Sequence, residues 1–148
     1  MVPMTDNAFT LRSATPEDAE RIAALLTEEG YPAGPSDIVE RLERFRVGAS
    51  DVRVATAAGE AVGFVAVHVM PRFEHSDQIA RVLALVVDGG VRERGVGHLL
   101  MAEAEEIARR AGCAFIEVTA GHHRPDARQL YEAVGYDAGV TAYLRKKL

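Results

Sequence analysis

Between Arg92 and Gly97 the chain reads Arg92-Glu93-Arg94-Gly95-Val96-Gly97, directly after the apolar run Leu85-Val86-Val87 and the turn Asp88-Gly89-Gly90. Two guanidinium groups and two glycines at a strand-to-helix junction are the means of holding a phosphate. Glycine lets the backbone approach a ligand where a Cβ would intrude. The N–H groups of the first helical turn, aided by the positive end of the helix dipole, then donate to its oxygens. Arg92 or Arg94 can add charge-assisted bonds, and His98 continues the same first turn. Two familiar phosphate loops are excluded. A dinucleotide fingerprint would need a third glycine where Leu100 stands, and no Gly-Lys-Ser/Thr of a P-loop follows. A plain strand-to-helix turn on a basic patch has the same local pattern, so the assignment needs support from the rest of the chain.

The elements that must position this turn follow from periodicity and punctuation. Residues 9–12 alternate and read as an edge strand. Thr15 precedes Pro16-Glu17-Asp18, which predicts a capped helix start, and Ala19, Ile22, Ala23, Leu25 and Leu26 supply its buried face. After Gly30-Tyr31-Pro32-Ala33-Gly34-Pro35, Ser36 is the expected cap of a second helix bearing Ile38, Val39, Leu42 and Phe45. Residues 51–56 and 61–70 predict two strands joined around Ala58-Gly59-Glu60. Residues 78–88 are apolar almost throughout, as expected of a central strand buried on both faces. A helix from Glu93 or Arg94 to Ala111 follows, with Gly112 at its C-terminal cap. Residues 114–119 predict a strand, 125–134 a short helix closed by Gly135, and 141–145 a last strand paired with Tyr136. Helices and strands mixed in this order imply a sheet covered by helices, an α/β class.

Composition narrows the function classes. The 148 residues suit one domain over 1–148, and 48% hydrophobic with 26% charged residues is an ordinary globular balance. A formal net charge of -5 argues against a broad nucleic-acid surface. The single cysteine, Cys113, forms no intramolecular disulfide and reads as a small buried residue at a strand start. The N-terminal residues lack the basic and apolar segments of a signal peptide, and no apolar run is long enough for a membrane span. A cytoplasmic protein without nucleic-acid or membrane partners is the expectation.

Two segments together resemble the GCN5-related N-acetyltransferase (GNAT) superfamily. Leu85 to Leu100 is similar to the family's strand, Arg/Gln-x-x-Gly-x-Gly/Ala turn and helix. Ala127-Arg128-Gln129-Leu130-Tyr131-Glu132-Ala133-Val134-Gly135-Tyr136 looks like its late Ala-x-x-Phe/Leu-Tyr-Glu-x-x-Gly-Phe/Tyr segment, and the separation leaves room for one helix and one strand. The resemblance implies an α/β GNAT fold. Its mixed central sheet would have roughly six to seven strands, flanked by about four helices and splayed between the fourth and fifth strands.

The resemblance also implies acetyl-CoA as co-substrate, with no metal, and acetyl transfer to a primary amine by direct attack through a tetrahedral intermediate. The pyrophosphate would lie on Arg92, Glu93, Arg94, Gly95, Val96, Gly97 and His98. The pantetheine arm would run along Leu85, Val86 and Val87 like an added strand, and an N–H near Val86 or Val87 would polarise the thioester carbonyl. Tyr131, early in the helix after the splay, would be the general acid to the CoA thiolate; a phenol ordinarily titrates near about pH 10. Glu93 departs from the pattern, since many members carry glycine there, and it places an acid beside the proposed pyrophosphate.

The fourth strand, where members often carry a glutamate, has Arg81 and no acid. Glu117, His68, Glu74, His75, Asp77 and His122 are the remaining candidates for a base, and none is singled out. Tyr31, Glu74 and Asp77 lie on the loops expected to wall the acceptor, a small-molecule or peptide amine. A homodimer through the last strand is compatible with the pattern. A non-catalytic acyl-CoA-binding or regulatory module on the same fold is the alternative, and a nucleotide-binding α/β protein a more distant one.

Overall fold

The computed structural model describes residues 9–120 and 125–148. Among them a five-stranded sheet has the order β1-β2-β3-β4-β5: β1 Thr10–Ser13, β2 Asp51–Ala57, β3 Glu60–Pro71, β4 Gln78–Val87 and β5 Cys113–Val118. The first four strands are mutually antiparallel neighbours, and β5 joins β4 in parallel. Four helices accompany the sheet: α1 Ala19–Glu28, α2 Pro35–Phe45, α3 Val96–Arg110 and α4 Pro125–Ala133.

Strand alternation divides the core by face. Phe64, Ala66 and Val86 pack with Ile22, Leu25, Ile38 and Leu42 of α1 and α2. Val65, Val67, Ala80 and Val82 pack with Val96, Leu100, Met101 and Ala104 of α3 and with Tyr131 of α4. Gly63 brings α3 against β3. A Cβ there would stand 3.0 Å from the Val86 carbonyl oxygen and 3.1 Å from Leu100 Cδ1, closer than packing tolerates.

The start of α1 follows the predicted chemistry. Pro16–Asp18 forms a single 3-10 turn ahead of the helix, and the buried Asp18 carboxylate accepts from the Thr15 N–H at 2.8 Å. It also takes two bonds from the Arg12 guanidinium, at 2.7 and 2.8 Å. Those Arg12 bonds are the main reason its pKa falls below the ordinary carboxylate value.

Several boundaries differ from expectation. The cap of α2 is Gly34, not Ser36. Pro35 takes the first helical position, and Asp37 reaches back to the Gly34 N–H at 2.9 Å. The α3 helix begins at Val96, later than Glu93 or Arg94, because Glu93 and Gly95 have φ of 69° and 84°, outside the right-handed helix. The last strand does not form: residues 137–148 are exposed and join no sheet. Tyr136, its expected partner, is engaged elsewhere. Its N–H bonds to the Tyr131 carbonyl at 3.0 Å and its hydroxyl donates to Glu105 at 3.1 Å. Strand propensity describes fit to a neighbouring strand, and residues 141–145 have none to fit. The sheet therefore counts five strands among the described residues rather than six to seven.

Residues 78–88 are also not buried on both faces, since Leu83 is 56% exposed. The register explains it. Ala66 opposes Ala84 while the next residue, Val67, opposes Val82, so Leu83 is an extra residue bulged out of β4. The bulge inverts the alternation. Ala80 and Val82 face α3, and beyond the bulge Leu85 and Val87 face α3 while Ala84 and Val86 face α1 and α2. Pairing between β4 and β5 runs from Gln78↔Cys113 to Val82↔Val118 and stops there. Pairing between the fourth and fifth strands ends at the bulge, where β5 itself ends.

Candidate active site

Beyond Val82 the edge of β4 that faced β5 has no strand partner among the described residues and is here called the open edge. Asp88 donates its N–H to Val62 on the β3 side at 2.8 Å, and the Val86 carbonyl also turns toward Gly63 of β3. Backbone groups alternate along a strand, so those of Leu85 and Val87 face the open edge. The Val87 carbonyl does so visibly, accepting from Arg92 Nε at 3.4 Å. Of the two N–H groups named from sequence, Val87 is thus the one directed into the gap, and the buried Val86 side chain points into the α1–α2 core.

A cleft of about 520 Å³ lies along this edge, between the end of β4, the start of α3 and α4. Leu85 and Val87 line it from the sheet, Arg92, Glu93, Gly95, Val96, Gly97 and His98 from the turn and first turn of α3, and Tyr131 with Leu130, Ala127 and Asp126 from α4. Gly95 caps α3 in the left-handed conformation, which aims the first-turn N–H groups of Val96, Gly97 and His98 at the cleft. A Cβ on Gly97 would lie 3.2 Å from Leu130 Cδ2 and crowd the contact between α3 and α4. The turn before α3 is pinned by Asp88, whose carboxylate accepts from the Gly90 N–H at 2.9 Å and from Arg21 at 3.1 Å. Those bonds, the Gly90 amide foremost, lower its pKa from the ordinary aspartate value.

Tyr131 lies in the last turn of α4, later than expected, 92% buried from solvent by contact with both α3 and Tyr136 yet lining the cleft. The Tyr131 and Tyr136 rings sit 6.2 Å apart, tilted by 55°. Burial first, then the charge of Glu105, pushes the Tyr136 phenol well above its ordinary range, so that group is a fixed neutral neighbour.

Arg94 turns away from the cleft and stacks over Phe9, 5.0 Å from the ring centroid. Tyr31, Glu74 and Asp77 do not line it. Tyr31 is exposed, Glu74 is on an exposed loop, and Asp77 is held by Arg72 at 2.6 Å. That pairing lowers the Asp77 pKa. The other base candidates also stand apart. Glu117 binds Arg81, His68 Nδ1 is 3.0 Å from Ser50 Oγ, and His75 lies on the exposed loop. His122 falls outside the described residues.

Two cleft residues, Asp126 and Glu29, are marked by no sequence motif. Glu29, immediately after α1, enters the cleft from the opposite face of the sheet to α3 and α4, its side chain only 13% exposed. It takes a 2.6 Å bond from Arg92, across 63 residues of sequence. Only the folded arrangement reveals it, since an acid after a helix that ends in Thr-Glu-Glu-Gly is otherwise an ordinary surface residue. Among the described residues no group of three or more His, Cys, Asp or Glu could hold a metal ion, and no helix is long and apolar enough to cross a membrane.

Comparison with known proteins identifies the family and the fold. The family model described as Acetyltransferase (GNAT) family matches residues 17–136. An aminoalkylphosphonate N-acetyltransferase from Salmonella typhimurium strain LT2 is 32% identical over 130 residues, covering 85% of this chain and 83% of that protein. The crystal structure of a transcriptional regulator from Bacillus halodurans C-125 shares the fold with a TM-score of 0.85 at 24% identity, over 94% of this chain and 99% of the other. A ribosomal-protein-alanine N-acetyltransferase from Brucella melitensis biovar Abortus 2308 does so with a TM-score of 0.80 at 22% identity, over 95% and 99%.

Proposed function

This chain belongs to the GNAT family of acetyltransferases and is an N-acetyltransferase, and from that premise we propose that it moves an acetyl group from acetyl-CoA to the primary amine of a small molecule, in the cleft between the end of β4, the start of α3 and α4. The single observation that carries the reading is the open edge of β4 beyond Val82, which leads directly to the N-terminus of α3. An extended arm can pair with the Leu85 and Val87 backbone there, and a pyrophosphate at its end meets the first-turn N–H groups and Arg92.

Acetyl-CoA supplies the activated acyl group as a thioester. The chain's part is to hold and polarise it. The Leu85 N–H, at the end of the open edge away from α3, can donate to the carbonyl oxygen as charge develops on it. Tyr131 donates its hydroxyl proton to the departing thiolate. The neutral amine attacks the carbonyl carbon, the C–N bond forms and the C–S bond breaks, and the proton that the nitrogen sheds passes to solvent, balancing the one that Tyr131 gives to the thiolate and regains from water. The likeness to the Salmonella protein supports aminoalkylphosphonates as the first acceptors to try.

A thiol-release assay with acetyl-CoA and a panel of primary amines, 2-aminoethylphosphonate among them, tests the proposal together with thermal unfolding. Acetyl-CoA is expected to raise the melting temperature by mass action, and at least one amine to release thiol steadily. Absence of both the shift and the release at millimolar acetyl-CoA overturns the reading. Binding without release to any amine favours the non-catalytic acyl-CoA-binding module instead.

A further inference from the structure

We propose that Arg81 receives the anionic end of the acceptor, so that the favoured amines are small molecules carrying a phosphonate or carboxylate a short chain away from the nitrogen. The inference rests on the acetyl-CoA reading given above and names the residue that sets the acceptor class of the same site.

Order along β4 is the first argument. From the α3 end the open edge presents Val87 and then Leu85, whose N–H meets the thioester carbonyl in that reading. Leu83 follows, bulged and exposed, and Arg81 stands two residues beyond it. The donor reaches Leu85 from the α3 end, so the acceptor meets it from the Arg81 end. Four strand steps separate Arg81 from Leu85, about 13 Å at full extension, and the bulge shortens that. A side chain as long as arginine covers part of the distance. What remains suits a short acceptor whose methylenes lie over Leu83. Ala80 and Val82 face α3, so Arg81 between them faces the other side of the sheet from Tyr131. Anion and leaving thiolate are thereby kept apart.

The state of the guanidinium is the second argument. Arg81 and Glu117 oppose each other across β4 and β5, one rung before pairing ends at Val82 and Val118. Arg81 Nε donates to Glu117 Oε1 at 2.7 Å, and Nη2 donates to the same oxygen. One side of the planar group is thus fixed. Its Nη1–Nη2 end bonds no other described residue and keeps N–H groups for a bidentate oxyanion. Both side chains are partly exposed, and an exposed ion pair contributes little to stability. A second cation lies in the same field. Arg145 donates to the Tyr143 hydroxyl at 3.4 Å, and the Tyr143 pKa is lowered by that bond first, with the charge of Arg81 adding to it. The net charge of -5 repels anions at long range, so an anionic acceptor needs a local cation of this kind.

The test is an acceptor-dependence measurement on the full chain with 2-aminoethylphosphonate, 3-aminopropanoate and uncharged propylamine, wild type against Arg81→Gln. Wild type is expected to favour at least one of the two anionic amines over propylamine by about tenfold or more in kcat/KM. In Arg81→Gln that preference is expected to fall by about tenfold to a hundredfold, through KM rather than kcat. The ranking of the two anions tells phosphonate from carboxylate. Methylphosphonate, the anion without the amine, is expected to inhibit wild type competitively against the amine and not against acetyl-CoA. Because Arg81→Gln leaves Glu117 uncompensated, the double variant Arg81→Gln/Glu117→Gln is the control, and its preference is expected to stay lost. Arg81→Lys, which keeps the charge and loses the fork, is expected to be intermediate and serves if the glutamine variants do not fold. A wild type without preference for either anion, an unchanged preference in Arg81→Gln, or one restored in the double variant overturns the proposal. A wild type that neither binds acetyl-CoA in calorimetry nor acetylates any amine overturns the donor reading itself, a result seen before any substitution is made.

Discussion

The two halves of β4 belong to one strand and do different work. Residues 78–82 pair with β3 on one side and β5 on the other, and their Ala80 and Val82 side chains are in the α3-side core. Residues 83–87 keep β3 and lose β5, and their free edge becomes one wall of the cleft. One bulged residue, Leu83, separates them. It ends the parallel pairing and inverts which side chains face α3. The first half stabilises the sheet; the second forgoes that stabilisation and gains a backbone edge on which a ligand can lie. A binding surface here is a strand whose partner has been withheld, with a helix N-terminus placed at its end.

The largest effect that can sharpen this contrast is on the far wall of the open half. Tyr131→Phe keeps the buried ring and its contact with Tyr136 and removes only the hydroxyl. Turnover is expected to fall about 100-fold, the range for a lost general acid. The acetyl-CoA Kd is expected to stay within about twofold, since uniform binding does not depend on that proton. Single-turnover kinetics with calorimetry separates the two quantities. An equal loss in both would mean that the hydroxyl holds the donor and plays no part in proton transfer.

The next effect compares the halves directly. Val82 is 3% exposed and Leu83 is 56% exposed, one position apart. Val82→Ala is expected to cost about 2 kcal/mol of unfolding free energy, through lost burial and a residual cavity. Leu83→Ala removes more carbon, yet is expected to stay within about 0.5 kcal/mol, as at other exposed sites. Chemical denaturation of both variants measures the difference. Equal losses would mean that the bulge is not maintained in solution and that β4 runs unbroken.

How much of this was legible in the sequence depends on range. The turn from Arg92 to Gly97 and the segment around Tyr131 could be read because their chemistry is local: glycines at fixed offsets, a strand before and a helix after. The fold followed from the same two segments. The bulge could not be read, because Leu83 in an apolar run looks like any core residue and its displacement is fixed by the register with β3. Glu29 could not be read either, since its meaning comes from Arg92, 63 residues away. The strand expected over residues 141–145 was a propensity without a partner. Tyr31, Glu74 and Asp77 were placed by loop position alone, and loop position does not fix where a side chain points.

The smallest effect concerns the turn itself, where a local rule is broken. Glu93 is held at φ of 69°, in the left-handed region that a β-carbon disfavours. The conformation costs about 1 kcal/mol for a residue other than glycine. Glu93→Gly relieves that strain but increases the freedom of the unfolded chain by a comparable amount. The melting temperature is therefore expected to move by no more than ~3 °C. Affinity is a different matter, because the substitution also removes a negative charge from the lining of the cleft beside the α3 N-terminus. Acetyl-CoA is expected to bind about threefold tighter at low salt, and the gain to shrink as salt rises, since Glu93 is exposed and its field is screened. Titrations at two ionic strengths read both features. A weaker rather than tighter complex would show that the glutamate serves the donor, for instance by orienting Arg92. The turn would then differ from the sheet half of β4 in kind: the strain at Glu93 would be retained for binding, where the paired half retains nothing that does not also stabilise the fold.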